Sequence, residues 1–160
     1  MRKKYFFFDI DGTLTDNKTH KIVPSAKRTL DQLKANGHFV SIATGRAHYK
    51  AVSFTDKINI HNIVCNGGGC IVIDDQVVNL QPIPLKESIH ILEQADQNHV
   101  GWLLALNDDD TVIMKDYRFL ETAGRRKELT TYLYDPSLDY HTLPSIMKMY
   151  LAYTKEDEKN

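Results

Sequence analysis

Apolar runs and polar punctuation alternate along the first half of the chain at a regular pace. Tyr5–Phe8 is a continuous apolar run that drives into Asp9 and Asp11. So short a run predicts a strand buried on both faces, with the two carboxylates at its carboxyl end. Residues 24–36 predict a helix. Pro24 suits the first turn, Ala26, Leu30 and Leu33 fall on one stripe, and Gly37 is the expected left-handed stop. Phe39–Ala43 reads as a second strand. Strand, helix and strand of these lengths form a right-handed unit whose strands are parallel. A second helix is expected over 46–57 and a third parallel strand over 62–65.

Beyond that the rhythm changes. Residues 71–73 and 76–78 flank Asp74 and Asp75 as a hairpin, and Pro82 and Pro84 mark a hinge. Residues 85–98 predict a helix with Ile89, Leu92 and Ala95 inward. Residues 102–106 and Thr111–Met114 predict a second hairpin around the acidic turn 107–110. A short helix is expected over 124–133, a strand over 145–153 and a frayed tail over 155–160. The pattern therefore predicts an α/β, Rossmann-like parallel sheet over 1–81 and an α+β unit over 82–160.

Composition narrows the partners. The 160 residues carry a formal net charge of −1, with 42% hydrophobic and 26% charged residues. That balance gives no reason to expect nucleic acid or an acidic membrane surface. No apolar run approaches the length of a membrane span, and Asp9 and Asp11 interrupt the N-terminal apolar run too early for a signal peptide. Cys65 and Cys70 are the only cysteines. Two cysteines without a paired histidine spacing make neither a zinc site nor a disulfide framework, so reduced thiols in a cytoplasmic protein are expected.

The candidate chemistry lies where each of the three strands ends. Asp9 and Asp11 repel each other unless one protonates or both share a cation. Mg2+ would meet that need with oxygen ligands and a substrate phosphate. Gly12 and Thr13 offer backbone N–H groups to such a phosphate. One of the two acids can serve as a nucleophile and the other as a general acid and base. A calcium loop is the competing reading, but its glycine would come later and a glutamate would close it. After the second strand, Thr44, Gly45 and Arg46 place a hydroxyl, a flexible residue and a cationic fork where an oxyanion could bind. Arg46 could equally be a solvated first-turn residue, and His48 reads as a surface histidine. After the third strand, Asn66 and Gly67 face the same edge or simply form a tight turn.

The stretch Asp9-Ile-Asp11-Gly12-Thr13-Leu14-Thr15 resembles the first motif of the haloacid dehalogenase superfamily of phosphatases and phosphotransferases. Thr44-Gly45-Arg46 and Asn66-Gly67 resemble the Cof-like branch. The resemblance covers residues 1 to about 80 well, and the rest only by order of elements. It implies Mg2+-dependent hydrolysis of small phosphorylated metabolites such as sugar phosphates, through an aspartyl-phosphate on Asp9. Asp11 is implied as the general acid and base, and Thr44 as a holder of the phosphoryl group. The Asp9 carboxylate and the Asp11 backbone carbonyl are implied as metal ligands, and 82–160 as part of a cap.

Two later motifs of the family, a lysine and a further acid pair, are not evident. Lys86 with Asp108 or Asp109 imitates them, but the β-prone residues that follow favour a hairpin. The chain is therefore expected to be the N-terminal part of a longer enzyme, inactive by itself, with a sheet edge at the first strand open to self-association. A phosphomutase, a non-catalytic binding module and a receiver domain are the other readings. The receiver is disfavoured because the third strand ends in Cys65-Asn66, not in an aspartate.

Overall fold

A computed structural model of the chain describes residues 2–126 and 130–154. It divides into two compact units, Met1–Gln81 and Pro82–Asn160.

The first unit runs β1 (Tyr5–Phe8), α1 (Pro24–Ala35), β2 (Phe39–Ala43), α2 (His48–Thr55), β3 (Ile63–Cys65), β4 (Cys70–Ile73) and β5 (Gln76–Leu80). The sheet order is β1-β2-β3-β4-β5. The first three strands are parallel, and β4 and β5 add as antiparallel hairpins. Pro24 opens α1, and Gly37 follows its end at φ +75°. Asp74 and Asp75, at φ 48° and 64°, make the tight turn between β4 and β5. Positive φ at both central residues matches the turn twist that paired strands favour. The second helix starts at His48, two residues later than the pattern suggested, and finishes in a 3₁₀ turn over Asp56–Ile58.

One expectation fails at β1. Tyr5 and Phe7 are 65% and 56% exposed, so this strand is not buried on both faces. Two right-handed crossovers that step in one direction put both helices on one side of a sheet. Leu30 of α1 and Ala51 of α2 accordingly share one core with Val40, Ile42 and Ile63, and Phe8 packs against it. Tyr5 and Phe7 alternate to the other side, and β1 ends the strand order among the described residues.

The second unit runs α3 (Leu85–Gln97), β6 (Gly101–Ala105), β7 (Thr111–Met114), α4 (Arg118–Ala123), β8 (Thr131–Tyr134) and β9 (Lys148–Ala152). Its sheet order is β8-β7-β6-β9. Leu92 and Ala95 of α3 pack with Trp102, Leu104 and Ile146 on one face. Phe119 of α4 packs with Leu103, Ala105 and Val112 on the other. The backbone of α4 lies directly on β6. A Cβ built on Gly101 would overlap the backbone nitrogen of Phe119.

Asp96 ties the layers of this unit together. Its Oδ1 accepts from Trp102 Nε1 at 3.0 Å and from Arg118 Nη2 at 2.7 Å. Arg118 Nε donates to Asp116 Oδ2 at 2.8 Å. Burial works against the charge on Asp96, but the hydrogen bonds from Trp102 and Arg118 outweigh it and hold its pKa below the usual carboxylate value.

The helix expected over 124–133 is not where the chain puts one. The helix lies earlier, at Arg118–Ala123, and Gly124 at φ +71° ends it. Thr131–Tyr134 is instead a strand parallel to β7, as its β-branched and aromatic residues favour. Residues 127–129 of that expectation, and the tail over 155–160, lie outside the described residues. The acidic turn at 107–110 does join a hairpin, with Asp109 Oδ1 accepting from the Thr111 N–H at 2.8 Å.

Candidate active site

Strand register gathers the predicted residues at one edge of the first sheet. Phe8 is level with Ile42, and Ala43 with Val64. Asp9, Thr44 and Asn66 therefore leave three neighbouring strands within a residue or two of the same height. This is the carboxyl edge, where open α/β sheets bind ligands.

Beyond Phe8 the chain makes one wide π-type turn over Ile10–Leu14. Its apolar members, Ile10 and Leu14, are buried, and Asp9, Asp11, Gly12 and Thr13 are left exposed. The Thr15 N–H and hydroxyl both donate to the Ile10 carbonyl, at 3.1 and 3.0 Å, and close the turn. Gly12 sits at φ +78°, and a Cβ there would come within 3.0 Å of Asn17 Oδ1. The conformation therefore favours glycine, and the nearest neighbour of the added Cβ is the flexible end of the Asn17 side chain. The loop after the turn is pinned by Asp16, whose Oδ1 accepts from the backbone N–H groups of Thr19 and Lys18 at 2.8 and 3.0 Å. The Thr19 N–H contributes most to lowering the Asp16 pKa.

Asp11 and Arg46 form a two-pronged pair. Arg46 Nη2 donates to Asp11 Oδ1 at 2.6 Å, and Nε donates to Oδ2 at 3.0 Å. Arg46 is itself held by its surroundings. Its N–H donates to the Thr44 hydroxyl oxygen at 3.2 Å, and its carbonyl accepts from the Asn66 N–H at 2.8 Å. Its guanidinium lies 5.6 Å from the centre of the Phe54 ring. One residue thus joins the ends of all three parallel strands. The sequence pointed to Arg46 as an anion fork, and its link to Asp11 carried no local signal. Thr44 is buried. Asn66 takes φ 53°, and its Oδ1 is shielded without a hydrogen-bond partner. Gly45 and Gly67 are exposed at the same edge, and His48 is half-buried at the start of α2. Among the described residues, no group of three or more His, Cys, Asp or Glu side chains converges as a metal site.

The sequence profile of haloacid dehalogenase-like hydrolases matches residues 6–160. The chain belongs to the haloacid dehalogenase-like hydrolases. A related hydrolase, the candidate phosphatase YkrA of Bacillus subtilis, is 30% identical over 160 residues, which cover 99% of this chain and 61% of YkrA. Two solved structures share the fold. The haloacid dehalogenase-superfamily phosphatase BT1666 of Bacteroides thetaiotaomicron matches with a TM-score of 0.76 at 23% identity, over 99% of this chain and 59% of its own. The subclass IIB sugar phosphatase BT4131 matches with a TM-score of 0.70 at 22% identity, over 99% of this chain and 61% of its own. The chain therefore spans about three-fifths of the length of these proteins. No helix among its described residues is long and apolar enough to cross a membrane.

Proposed function

We propose that this haloacid dehalogenase-like hydrolase removes phosphate from small phosphorylated metabolites, sugar phosphates among them. The observation that carries the reading is the common level of Asp9, Thr44 and Asn66 at the carboxyl edge, with Asp11 held there by Arg46. The candidate phosphatase YkrA and the sugar phosphatase BT4131 support the substrate class.

In this reading the Asp9 carboxylate attacks phosphorus in line and forms an acyl phosphate as the alcohol oxygen leaves. Asp11 gives that oxygen its proton. Asp11 then takes a proton from the water that attacks the acyl phosphate, which regenerates Asp9 and releases phosphate. The fork from Arg46 orients the Asp11 carboxylate. The Thr44 hydroxyl and the N–H groups of Gly12 and Thr13 hold phosphoryl oxygens, and Gly45 keeps that approach open. Asn66 and Gly67 border the substrate side. Residues 82–160 are read as part of a cap that selects the substrate.

Mg2+ fits the donors that are present. The exposed Asp9 carboxylate and the Asp11 main-chain carbonyl are hard oxygen donors, and Arg46 engages the Asp11 carboxylate instead. Mg2+ commonly takes one or two carboxylates and completes its shell with water and substrate phosphate. When bound, it supplies positive charge to the phosphoryl oxygens. The test is release of phosphate from a small monoester by the protein in its encoded length, with and without Mg2+. Turnover that requires Mg2+ and vanishes in Asp9→Asn is expected. Equal turnover in Asp9→Asn would overturn the assignment of the nucleophile.

A further inference from the structure

We propose that Cys65 and Cys70 are a reversible disulfide site that closes the 66–69 loop beside the candidate active site. Cys65 ends β3 and Cys70 begins β4, and the two are directly opposed in the antiparallel ladder. Opposed residues in such a ladder have Cβ atoms about 4.5–5.5 Å apart on the same face. A disulfide needs Cβ atoms about 3.5–4.5 Å apart and Cα atoms about 4.4–6.8 Å apart. Residues opposed in an antiparallel ladder generally meet the second condition, and a small inward movement of the Cβ atoms meets the first. Both residues are thiols in this structure and both are buried.

The pair stands at the closed end of the β3–β4 hairpin. It is the last rung before the loop, and the loop contains Gly67, Gly68 and Gly69. The sulfurs become reachable only through a local opening at this loop, short of global unfolding. The bridge would act on the site through Asn66. That residue follows Cys65 directly and donates its N–H to the Arg46 carbonyl.

The oxidant is a low-molecular-weight disulfide. One cysteine thiolate attacks a sulfur of the reagent, the reagent S–S bond breaks, and one reagent thiol leaves with a proton. The second cysteine, as thiolate, attacks the sulfur of the first cysteine in that mixed disulfide and expels the second reagent thiol, which takes up the proton. Two protein thiols are oxidised and one reagent disulfide is reduced to two thiols, so atoms and electrons balance.

The experiment incubates the native protein with glutathione disulfide and follows intact mass, thiol titre and peptide maps. The expected product is a monomer lighter by two hydrogens, with both thiols lost, a Cys65–Cys70 linked peptide, and full reversal by dithiothreitol. Amide exchange at Gly67, Gly68 and Gly69 is expected to slow in the oxidised form. Cys70→Ala should stop at a stable glutathione adduct on Cys65. Should that variant fail to fold, the peptide map of the wild-type chain decides alone. Three outcomes overturn the proposal: unchanged thiols in the native protein when the same thiols react in urea, a stable adduct on wild-type protein without closure, or links only between chains. The readouts need no phosphatase activity, so the bridge and the catalytic reading fail separately.

Discussion

Asp11 and Arg46 lie thirty-five positions apart in the chain, yet they share two hydrogen bonds of 2.6 and 3.0 Å. A guanidinium fixes a carboxylate in plane and in direction, which the point charge of a lysine does not. Arg46→Lys is therefore expected to keep the charge and lose the alignment. In the phosphatase reading this lowers kcat by about 10- to 10²-fold, as small misplacements of a reacting group do, with a smaller change in KM. A KM effect alone would show that Arg46 binds substrate and does not position Asp11.

The two acids should separate kinetically. Asp9→Asn is expected to abolish monoester turnover, because an amide is no nucleophile. Asp11→Asn is expected to cost about 10²-fold or more, the usual size of a general acid and base contribution. Rapid-quench detection of a covalent phosphoprotein in wild type, absent in Asp9→Asn, checks the assignment directly.

Gly12 should accept a side chain only at a cost in stability. A left-handed backbone costs an ordinary residue about 1–2 kcal/mol, and the contact with Asn17 adds to that. Gly12→Ala is expected to lower the urea midpoint by a corresponding amount. Combining it with Asn17→Ala should recover only part of the loss. Complete recovery would mean that space, not φ, governs the position.

Acid should weaken the second unit. The folded-state pKa of Asp96 lies below its ordinary value of 3.8, because the hydrogen bonds from Trp102 and Arg118 outweigh burial. A depressed carboxylate contributes stability that is fully present above the unfolded pKa and is lost as pH falls through the folded one. Trp102, the single tryptophan of the chain, donates to Asp96 and reports on it. Its fluorescence should change below about pH 4, from the ordinary carboxylate value, and Asp96→Asn should remove that transition. An identical acid profile in the variant would assign the loss to other groups.

Much of the fold was legible because it is written locally. The run Tyr5–Phe8, the stripe through Leu30 and the paired residues Asp74 and Asp75 each carry their own periodicity or turn chemistry. The exposure of Phe7 was not legible. An apolar run reports which faces could be covered, whereas the direction of successive crossovers decides which ones are. The misplaced helix has a similar cause. Six residues from Arg118 are too few to show a clear helical period, and the strand signal of Thr131–Tyr134 needs its neighbour β7 to be recognised. That Asp9, Thr44 and Asn66 share one sheet edge could be read from their places after strands. The bond from Arg46 to Asp11, and the Asn17 amide against Gly12, arise only on folding.

Gly101 has a consequence for how this chain can vary. Its backbone is ordinary for a strand, so any residue could adopt the local angles. The barrier is the α4 main chain, which cannot rotate aside as a side chain can. Even one added methyl group would have to push a helix off a sheet, at a cost of about 1–3 kcal/mol or more. In a saturation library read out by folding, position 101 should therefore collapse to a single letter. The neighbouring Trp102 should still accept other large rings that reach Asp96 less well. Freedom to drift is set here by a neighbour eighteen residues away and not by the demands of the strand itself.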